Sequence, residues 1–310
     1  MKSPHILLTG GAGFIGSHVS EVLLAAGCRI TVVDDLSSGT KTNLPEDPAM
    51  NFQEHDILQY PEKDWPTDID VIVHLAAIPS VAQSWIDLKR AHEVNVSATV
   101  HLLEVARRLG IGRFVFASSA AVYGNPATLP LVESSPTVPL SPYGLQKLAS
   151  EQYGSLLSRE TNITFVALRF FNVYGPRQSP SSSYSGVITA FAEALRNGST
   201  LTLRGDGRQT RDFVYVKDVA RAVATAACDD LPEGEFRASN IGSGHSTTIL
   251  ELAETMRGFF PGSAAQVAFG PLMPGEIRDS RSDIACAQKM LGFIPRWSLH
   301  DGLADLFRAS

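Results

Sequence analysis

The chain has 310 residues, 44% of them hydrophobic and 19% charged, enough to bury a large core as one domain or two unequal lobes. A net charge of −6 and a pI near 5.8 exclude a surface that could neutralise a row of phosphates, so no nucleic-acid partner is expected. No apolar run approaches the ~20 residues that span a bilayer, and the first one stops at a glycine turn after Leu8, so no membrane partner and a cytoplasmic location are expected.

In chain order, His5–Leu8 read as a strand and Thr9-Gly10-Gly11-Ala12-Gly13-Phe14-Ile15-Gly16 as a tight turn opening a helix that runs to Gly27. Such a turn admits a pyrophosphate close to the backbone, and the helix start offers free N–H groups and a positive dipole end. Arg29–Val33 form a second strand ending in Asp34, about 20 residues beyond the turn, as a dinucleotide site requires. A carboxylate there accepts ribose hydroxyls and repels a 2′-phosphate, and no cation follows before Lys41, so NAD is favoured over NADP. The polar turn Leu36–Thr40 is placed to surround the adenosine ribose.

Asn51–Asp56 read as a short strand whose end lies on the adenine side, and Asp70–Ala77 as a strand buried on both faces. Its small last residues, Ala76 and Ala77, would let a cofactor pass. Residues 87–109 carry a helical pattern ended by Gly110, Arg113–Ser119 form a strand ending in hydroxyls, and Ser141-Pro142 open a helix to about Arg159. Ile163–Arg169 complete at least six strand–helix alternations before residue 172, which predicts a doubly wound parallel α/β (Rossmann) domain. Beyond it loops lengthen, and the apolar runs at 187–195, 200–204 and 249–260 suggest a smaller α/β lobe over the carboxyl edge of the sheet. The division expected is 1–172 and 173–310, with parts of 212–242 returning to the first unit. The three cysteines, Cys28, Cys228 and Cys286, have no paired spacing and read as free thiols.

Tyr143-Gly-Leu-Gln-Lys147 puts a phenol and an ammonium on one helix face. For Tyr143 to act as a base near neutral pH its pKa must fall about three units, about 4 kcal/mol, and Lys147 with a cationic nicotinamide could supply that. That spacing alone is common on surface helices. Ser118-Ser119, at the end of the preceding strand, add a hydroxyl able to reach a substrate oxygen beside Tyr143. The joint order of glycine turn, Asp34, strand-end serines and Tyr-x-x-x-Lys is hard to assign to packing.

On these residues the sequence resembles the extended branch of the short-chain dehydrogenase/reductase family, and within it the nucleotide-sugar 4-epimerases of the UDP-glucose/UDP-N-acetylglucosamine type. The motifs are TGGAGFIGSH at 9–18, VVDDLSSG at 32–39, HDI at 55–57, HLAA at 74–77 and SSAAVYG at 118–124. They continue with SPYGLQK at 141–147, LRFFNVYGPRQ at 168–178, RQTRDFVYVKDVA at 208–220, NIGSG at 240–244 and PGEIRDSRSDI at 274–284.

The resemblance implies a UDP-sugar substrate, tightly held NAD, no metal and a homodimer through helices near 93–109 and 143–159. It implies that Tyr143 takes the proton of the sugar 4-hydroxyl, Ser119 orients the 4-oxygen, and Lys147 binds the nicotinamide ribose. Cofactor contacts would come from Gly10, Gly13, Phe14, Ile15, Gly16, Asp34, Asp35, Ser37, Ser38, Gly39, Asp56, Ile57, Leu75, Ala76, Ala77, Asn95 and Ser118, with Tyr143 and Lys147. Substrate contacts would add Asn172, Val187, Thr202, Arg204, Arg211, Arg278 and Ser280 to Ser119 and Tyr143.

Ala120 and Ala121 stand where sugar 4,6-dehydratases of this family carry an acidic pair, so epimerisation is preferred to elimination. Ser280 matches a position bulky in glucose-restricted relatives, which implies room for a 2-acetamido group. Met273 replaces a diphosphate-binding Arg, leaving Arg278 or Arg204 for that task, and Pro79 replaces a residue often polar. Ser and Arg residues around 177–185 keep a UDP-glucuronic acid 4-epimerase in competition. A nucleotide-sugar dehydratase, decarboxylase or reductase of the same fold competes as well, as does a non-catalytic dinucleotide sensor.

Overall fold

A strand covered on both faces is apolar along its whole length, and β1 (His5–Thr9) is buried at every residue. The computed structural model describes residues 3–61, 64–179, 186–271 and 277–308. After β1 come α1 (Phe14–Ala25), β2 (Arg29–Asp34), β3 (Met50–Glu54), β4 (Val71–His74), α2 (Val81–Ile86), α3 (Leu88–His92), α4 (Ala98–Leu109) and β5 (Arg113–Ser119). Then follow α5 (Pro142–Glu160), β6 (Thr164–Phe170), β7 (Asn172–Tyr174), α6 (Val187–Asn197), β8 (Leu201–Arg204), β9 (Thr210–Arg211), β10 (Phe213–Tyr215) and α7 (Val216–Cys228). The chain closes with β11 (Phe236–Ile241), β12 (Thr247–Thr248), α8 (Ile249–Gly258), β13 (Val267–Gly270), α9 (Ala285–Leu291) and α10 (Leu299–Arg308).

Seven strands in the order β11-β6-β5-β4-β1-β2-β3 form one sheet, and every pair is parallel. This is the doubly wound α/β fold that the sequence predicts. The two-residue period sends Ile6 and Leu8 to one face, where they meet Val19, Leu23, Val219 and Val223 of α1 and α7. Leu7 faces the other way, into a core with Ile72, Phe114 and Leu102 and Leu103 of α4.

The expected alternation of strand and helix is incomplete on one side. Among the described residues only a single 3₁₀ turn, Lys41–Asn43, lies between β2 and β3, and another, Ile57–Gln59, between β3 and β4. Buried Tyr60 and Trp65, with ring centroids 4.2 Å apart, occupy the second core near this side in place of a crossover helix. As the edge strand, β3 is only partly buried and needs less cover.

The helical pattern at 87–109 also divides, into α3, a π-turn over Glu93–Ser97, and α4, which ends at Gly110 with φ 68°. The wider turn leaves the Asn95 carbonyl to side-chain donors: it accepts from Thr99 Oγ1 at 3.0 Å and Ser150 Oγ at 3.1 Å. At α5 the Ser141 hydroxyl accepts from Gly144 N at 3.1 Å, with Pro142 opening the helix.

Beyond β7, short pairs replace long strands: β7 with β10, β8 with β13, and β9 antiparallel to β12. Ile188, Phe191, Leu195, Leu201, Leu203, Leu252 and Met256 form a third core. β11 takes the edge of the central sheet beside β6 and α7 packs on α1, whereas β10 stays outside that sheet with β7. All three cysteines are free, with the Cys28 and Cys228 Sγ atoms 3.5 Å apart. Among the described residues no helix is long and apolar enough to cross a membrane.

One buried carboxylate ties three of these segments together. Asp212 Oδ1 accepts from Ser243 N and Ser243 Oγ, both at 2.7 Å. Its Oδ2 accepts from Ser282 Oγ at 2.6 Å, Ser282 N at 2.9 Å and Gly244 N at 3.1 Å. A Cβ at Gly242 would lie 2.3 Å from Ser282 Oγ and 2.8 Å from Asp212 Oδ2, so the 240–244 turn needs glycine there. Asp212→Ala strands these donors in the interior and is expected to lower unfolding stability by on the order of 3 kcal/mol. Urea unfolding measures this as a lower midpoint at unchanged slope; a midpoint equal to that of the parent protein would remove Asp212 as the anchor.

Candidate active site

The site forms at the carboxyl edge of the sheet, where Thr9, Val33, His74 and Phe116 lie in register at or near the ends of β1, β2, β4 and β5. Strand order reverses between β1 and β4, the crevice at which doubly wound sheets take ligands. Gly10 has φ 71°, and a Cβ on it would stand 2.6 Å from Ala76 N. At Gly16 a Cβ would stand 2.0 Å from Gly10 O, so α1 can press on the turn only through glycine. Gly13 has no such close neighbour; its Cβ would meet only Gly10 O at 3.3 Å. It also caps α1 without a side chain, and the first turn, with half-buried Phe14 and Ile15, carries no acidic residue. That cradle fits the pyrophosphate of a dinucleotide.

Asp34 is buried at the tip of β2. Its Oδ2 accepts from Ala12 N and its Oδ1 from Leu36 N, both at 2.9 Å, so it holds the glycine turn. Burial pushes its carboxyl above the usual range, and these two N–H groups oppose that. Each oxygen keeps a second lone pair for a ribose hydroxyl. Asp35 is exposed and accepts from Ser37 N at 3.0 Å and Ser37 Oγ at 2.6 Å; Ser38 is exposed beside them. Gly39 rests against the turn, where a Cβ would stand 2.7 Å from the Ala12 carbonyl carbon.

Across the crevice, Leu75, Ala76 and Ala77 are half-buried against Gly10. His74, fully enclosed behind them, bonds Thr9 Oγ1 at 2.7 Å through Nδ1 and Thr99 Oγ1 at 3.1 Å through Nε2. Thr99 donates onward to Asn95 O, so Nε2 carries the proton and Nδ1 accepts from Thr9. Burial, with Lys147 nearby, lowers His74 to about 3 and keeps it neutral. Asp56 caps the Ile57–Gln59 turn through Leu58 N at 3.0 Å and meets Arg90 at 3.4 Å.

Three of the expected cofactor contacts are otherwise engaged. Ile57 is 6% exposed and packs in the core. The Asn95 amide is spent on Ile78 N at 2.8 Å, Ile78 O at 3.2 Å and Gln146 Oε1 at 2.8 Å, so it holds the strand-end loop. Ser118 alternates away from Ser119 and donates to Glu151 inside the core, which takes its hydroxyl out of the crevice.

Ser119, Tyr143 and Lys147 do come together. Ser119 is half-buried, its hydroxyl accepts from Ala121 N at 3.2 Å, and it is near enough to the Tyr143 phenol to influence its ionisation. The Tyr143 N–H donates to Ser84 Oγ of α2 at 3.1 Å, and a Cβ at Gly144 would stand 2.6 Å from Ala121 O. The N-terminus of α5 is thereby seated directly on the end of β5. Lys147 is 3% exposed, its Nζ 4.7 Å from the Phe116 ring centroid and 5.9 Å from that of Tyr143. Burial pushes the Tyr143 phenol up, opposed by the nearby Ser119 hydroxyl, and pushes Lys147 down to about 7, opposed by Glu151. In the protein alone the Lys147 ammonium lies over the ring face, and desolvation dominates both groups.

The substrate-side residues sit in the second lobe. Asn172 is exposed on β7, its N–H donating to Asp212 O at 2.9 Å, and Val187 is half-buried at the start of α6. On β8, Thr202 and Arg204 point outward while Leu201 and Leu203 enter the core. Arg211 donates to Thr210 O at 2.8 Å and Arg278 O at 3.3 Å. Exposed Arg278 pairs with Asp206 at 3.5 Å, and Ser280 is buried with its N–H on Thr210 Oγ1 at 3.3 Å. Met273 and residues 180–185 lie outside the described residues; Arg177 pairs with Glu21. Sequence reading missed Ser84, Thr9, Thr99, Arg169 and Glu151. Only Glu151 leaves a signal, the four-residue step that continues Tyr143 and Lys147.

The model of the NAD dependent epimerase/dehydratase family matches residues 6–242. UDP-glucose 4-epimerase of Mycolicibacterium smegmatis is 38% identical over 304 residues, covering 96% of each chain. The solved UDP-N-acetylglucosamine 4-epimerase of Methanobrevibacter ruminantium, in complex with UDP-N-acetylmuramic acid, superposes with a TM-score of 0.92 at 33% identity over 100% of each chain. UDP-glucuronic acid 4-epimerase of Bacillus cereus, solved with UDP-glucuronic acid and NAD, has a TM-score of 0.88 at 33% identity over 98% of each. A dinucleotide cradle and a serine–tyrosine–lysine cluster on a doubly wound sheet, with a family match over residues 6–242, make this chain a member of the NAD dependent epimerase/dehydratase family.

Proposed function

We propose that the protein is an NAD-dependent UDP-sugar 4-epimerase that works through a 4-keto sugar, with UDP-GlcNAc/UDP-GalNAc and UDP-Glc/UDP-Gal as substrates. The observation that carries this reading is the convergence of Ser119 and Tyr143 at the sheet edge, with Lys147 one turn along α5 and alanine at 120 and 121. No carboxylate stands at 120 or 121 to remove a C5 proton, which favours epimerisation over elimination. The similar proteins named above act on UDP-glucose, UDP-N-acetylglucosamine and UDP-glucuronic acid, which supports a UDP-sugar.

NAD, when bound, supplies the acceptor for the C4 hydride and its return. Tyr143 takes the 4-hydroxyl proton and later gives it back; Ser119 holds the 4-oxygen against the phenol. Lys147 would hold the nicotinamide ribose. Gly10, Gly13, Gly16 and Asp34, with the 35–39 loop and the 75–77 strand end, hold the dinucleotide. The ketone must turn over while its carrier stays fixed, and we assign the diphosphate to Asn172, Arg211 and Arg278, whose forked guanidinium groups suit phosphate oxygens. Val187, Thr202 and Arg204 flank it. Small, buried Ser280 supports room for a 2-acetamido group. On this assignment residues 1–172 serve mainly the cofactor and 173–310 the substrate.

We also propose a homodimer, on the apolar stripe that α5 leaves exposed: Leu145, Tyr153 and Leu156 at 59%, 50% and 60%. Leu145→Asp/Leu156→Asp is expected to give monomers in analytical ultracentrifugation. A parent protein already monomeric at micromolar concentration removes this part of the proposal.

Purified protein without added cofactor, incubated separately with UDP-Glc, UDP-GlcNAc and UDP-GlcA, is expected to yield the C4 epimer by NMR with at least one of the first two. Conversion of UDP-GlcA alone would transfer the assignment to a uronic acid epimerase, and loss of water or CO2 would replace the reaction class. Tyr143→Phe is expected to cut kcat about 10²–10⁴-fold while NAD stays bound. Turnover at the parent rate in that variant would take Tyr143 out of the base role.

A further inference from the structure

Tyr143, Lys147 and Glu151 recur every four residues on α5 and share one helix face. The first two form the candidate proton-transfer pair, and that reading leaves the third without a task. Glu151 is nonetheless 2% exposed, where an ionised carboxylate needs strong partners. It accepts from Arg169 Nε at 3.0 Å, from Arg169 Nη2 at 2.7 Å, and from the Ser118 hydroxyl. Arg169 is itself held by Tyr123 OH at 2.9 Å and the Glu133 carbonyl at 3.0 Å. The carboxylate is thus ionised and fixed, one helical turn from Lys147.

Lys147, by contrast, has lost almost all contact with solvent. Its Nζ lies over the rings of Phe116 from β5 and Tyr143 from its own helix. The titratable groups facing it are Tyr143 and Glu151 on α5 and neutral His74 on β4. Glu151 is the one anion among them. Burial pushes Lys147 toward the neutral amine, and the Glu151 carboxylate, one helical turn away on the same face, is the influence that works against it.

We propose that Glu151, clamped by Arg169 and Ser118, is a positioning residue for the reaction: its fixed negative charge keeps Lys147 an ammonium beside Tyr143. The Ser118 hydroxyl belongs to this clamp, which gives the two adjacent serines separate duties, Ser119 toward the substrate and Ser118 toward the counter-charge. The catalytic consequence rests on the epimerase reading; the charge state of Lys147 does not. A reaction that needs the ammonium loses rate as pH rises through the Lys147 pKa. Removing Glu151 lowers that pKa, so the falling limb of the pH–kcat profile moves to lower pH.

Glu151→Gln alone would strand the Arg169 cation in the core. The variant to make is Glu151→Gln/Arg169→Gln, with Glu151→Met/Arg169→Met as the second choice, since apolar replacements of a buried pair commonly keep a protein folded. With ε-¹³C-lysine-labelled full-length protein, the Lys147 resonance is identified by its loss in Lys147→Met and titrated by NMR. Whichever double variant melts cooperatively is expected to titrate about one pH unit or more below the parent, and its pH–kcat limb is expected to move the same way. An unchanged Lys147 midpoint in a folded double variant overturns the proposal, as does a lowered midpoint with an unmoved limb. If the midpoint falls while the parent protein epimerises no UDP-sugar, the charge assignment stands and the epimerase reading is the one that fails.

Discussion

Two missing Cβ atoms govern the architecture of this protein. Gly10 lies so close to Ala76, and Gly16 so close to the Gly10 carbonyl, that any side chain would force β1, β4 and α1 apart. Only with both contacts closed do the ends of the central strands and the start of α1 share one crevice. The strand order places its reversal there, so the helix dipole, the Asp34 carboxylate and the Ser119 hydroxyl of β5 converge on the same volume. The Asp34 bond to Ala12 N then fixes the turn from the other side, which makes the carboxylate proposed for the ribose a structural tie as well.

Desolvation is the second constraint, and the protein answers it in different ways on adjoining elements. His74 is kept neutral in one tautomer by two threonines and an accepting carbonyl. Arg169 and Glu151 are kept charged by a two-point ion pair with further partners at each end; despite its burial, Glu151 and Tyr123 hold the guanidinium above its ordinary range. Tyr143 and Lys147 lie between these extremes. Burial works against the charged form of each, and at Lys147 the Glu151 charge opposes it.

The second lobe is built from pairs of short strands, too small to be stable alone. Its attachment depends on buried carboxylates instead. Asp212 gathers the 243–244 turn and Ser282, and Asp218 accepts from Arg296 N at 3.1 and 3.0 Å and Trp297 N at 3.2 Å. Both aspartates lie inside the 208–220 motif, which gives that motif a structural meaning beside the substrate role suggested for Arg211.

Much of the fold was legible in the chain itself, because strand periodicity, cap residues and turn glycines act locally. The strand ends at Asp34 and Ser119, the cap at Ser141 and the stop at Gly110 all lie where the residues place them. The glycine turn, Asp34, the strand-end serines and the Tyr143–Lys147 step point to a dinucleotide site through their joint order, not through any one spacing. Other features depend on partners far along the chain, and no local signal carries them. The missing crossover helices beside β3, the π-turn at Asn95 and the Ser84 support under Tyr143 arise only when separate elements meet. The sequence by itself determined the sheet, the glycine turn and the Tyr143–Lys147 step on one helix face; the tertiary structure alone decided which serine faces the crevice and which charges are buried. Those outcomes follow from packing, since the two sides of one strand see different environments and a pKa answers to the whole enclosure around a group.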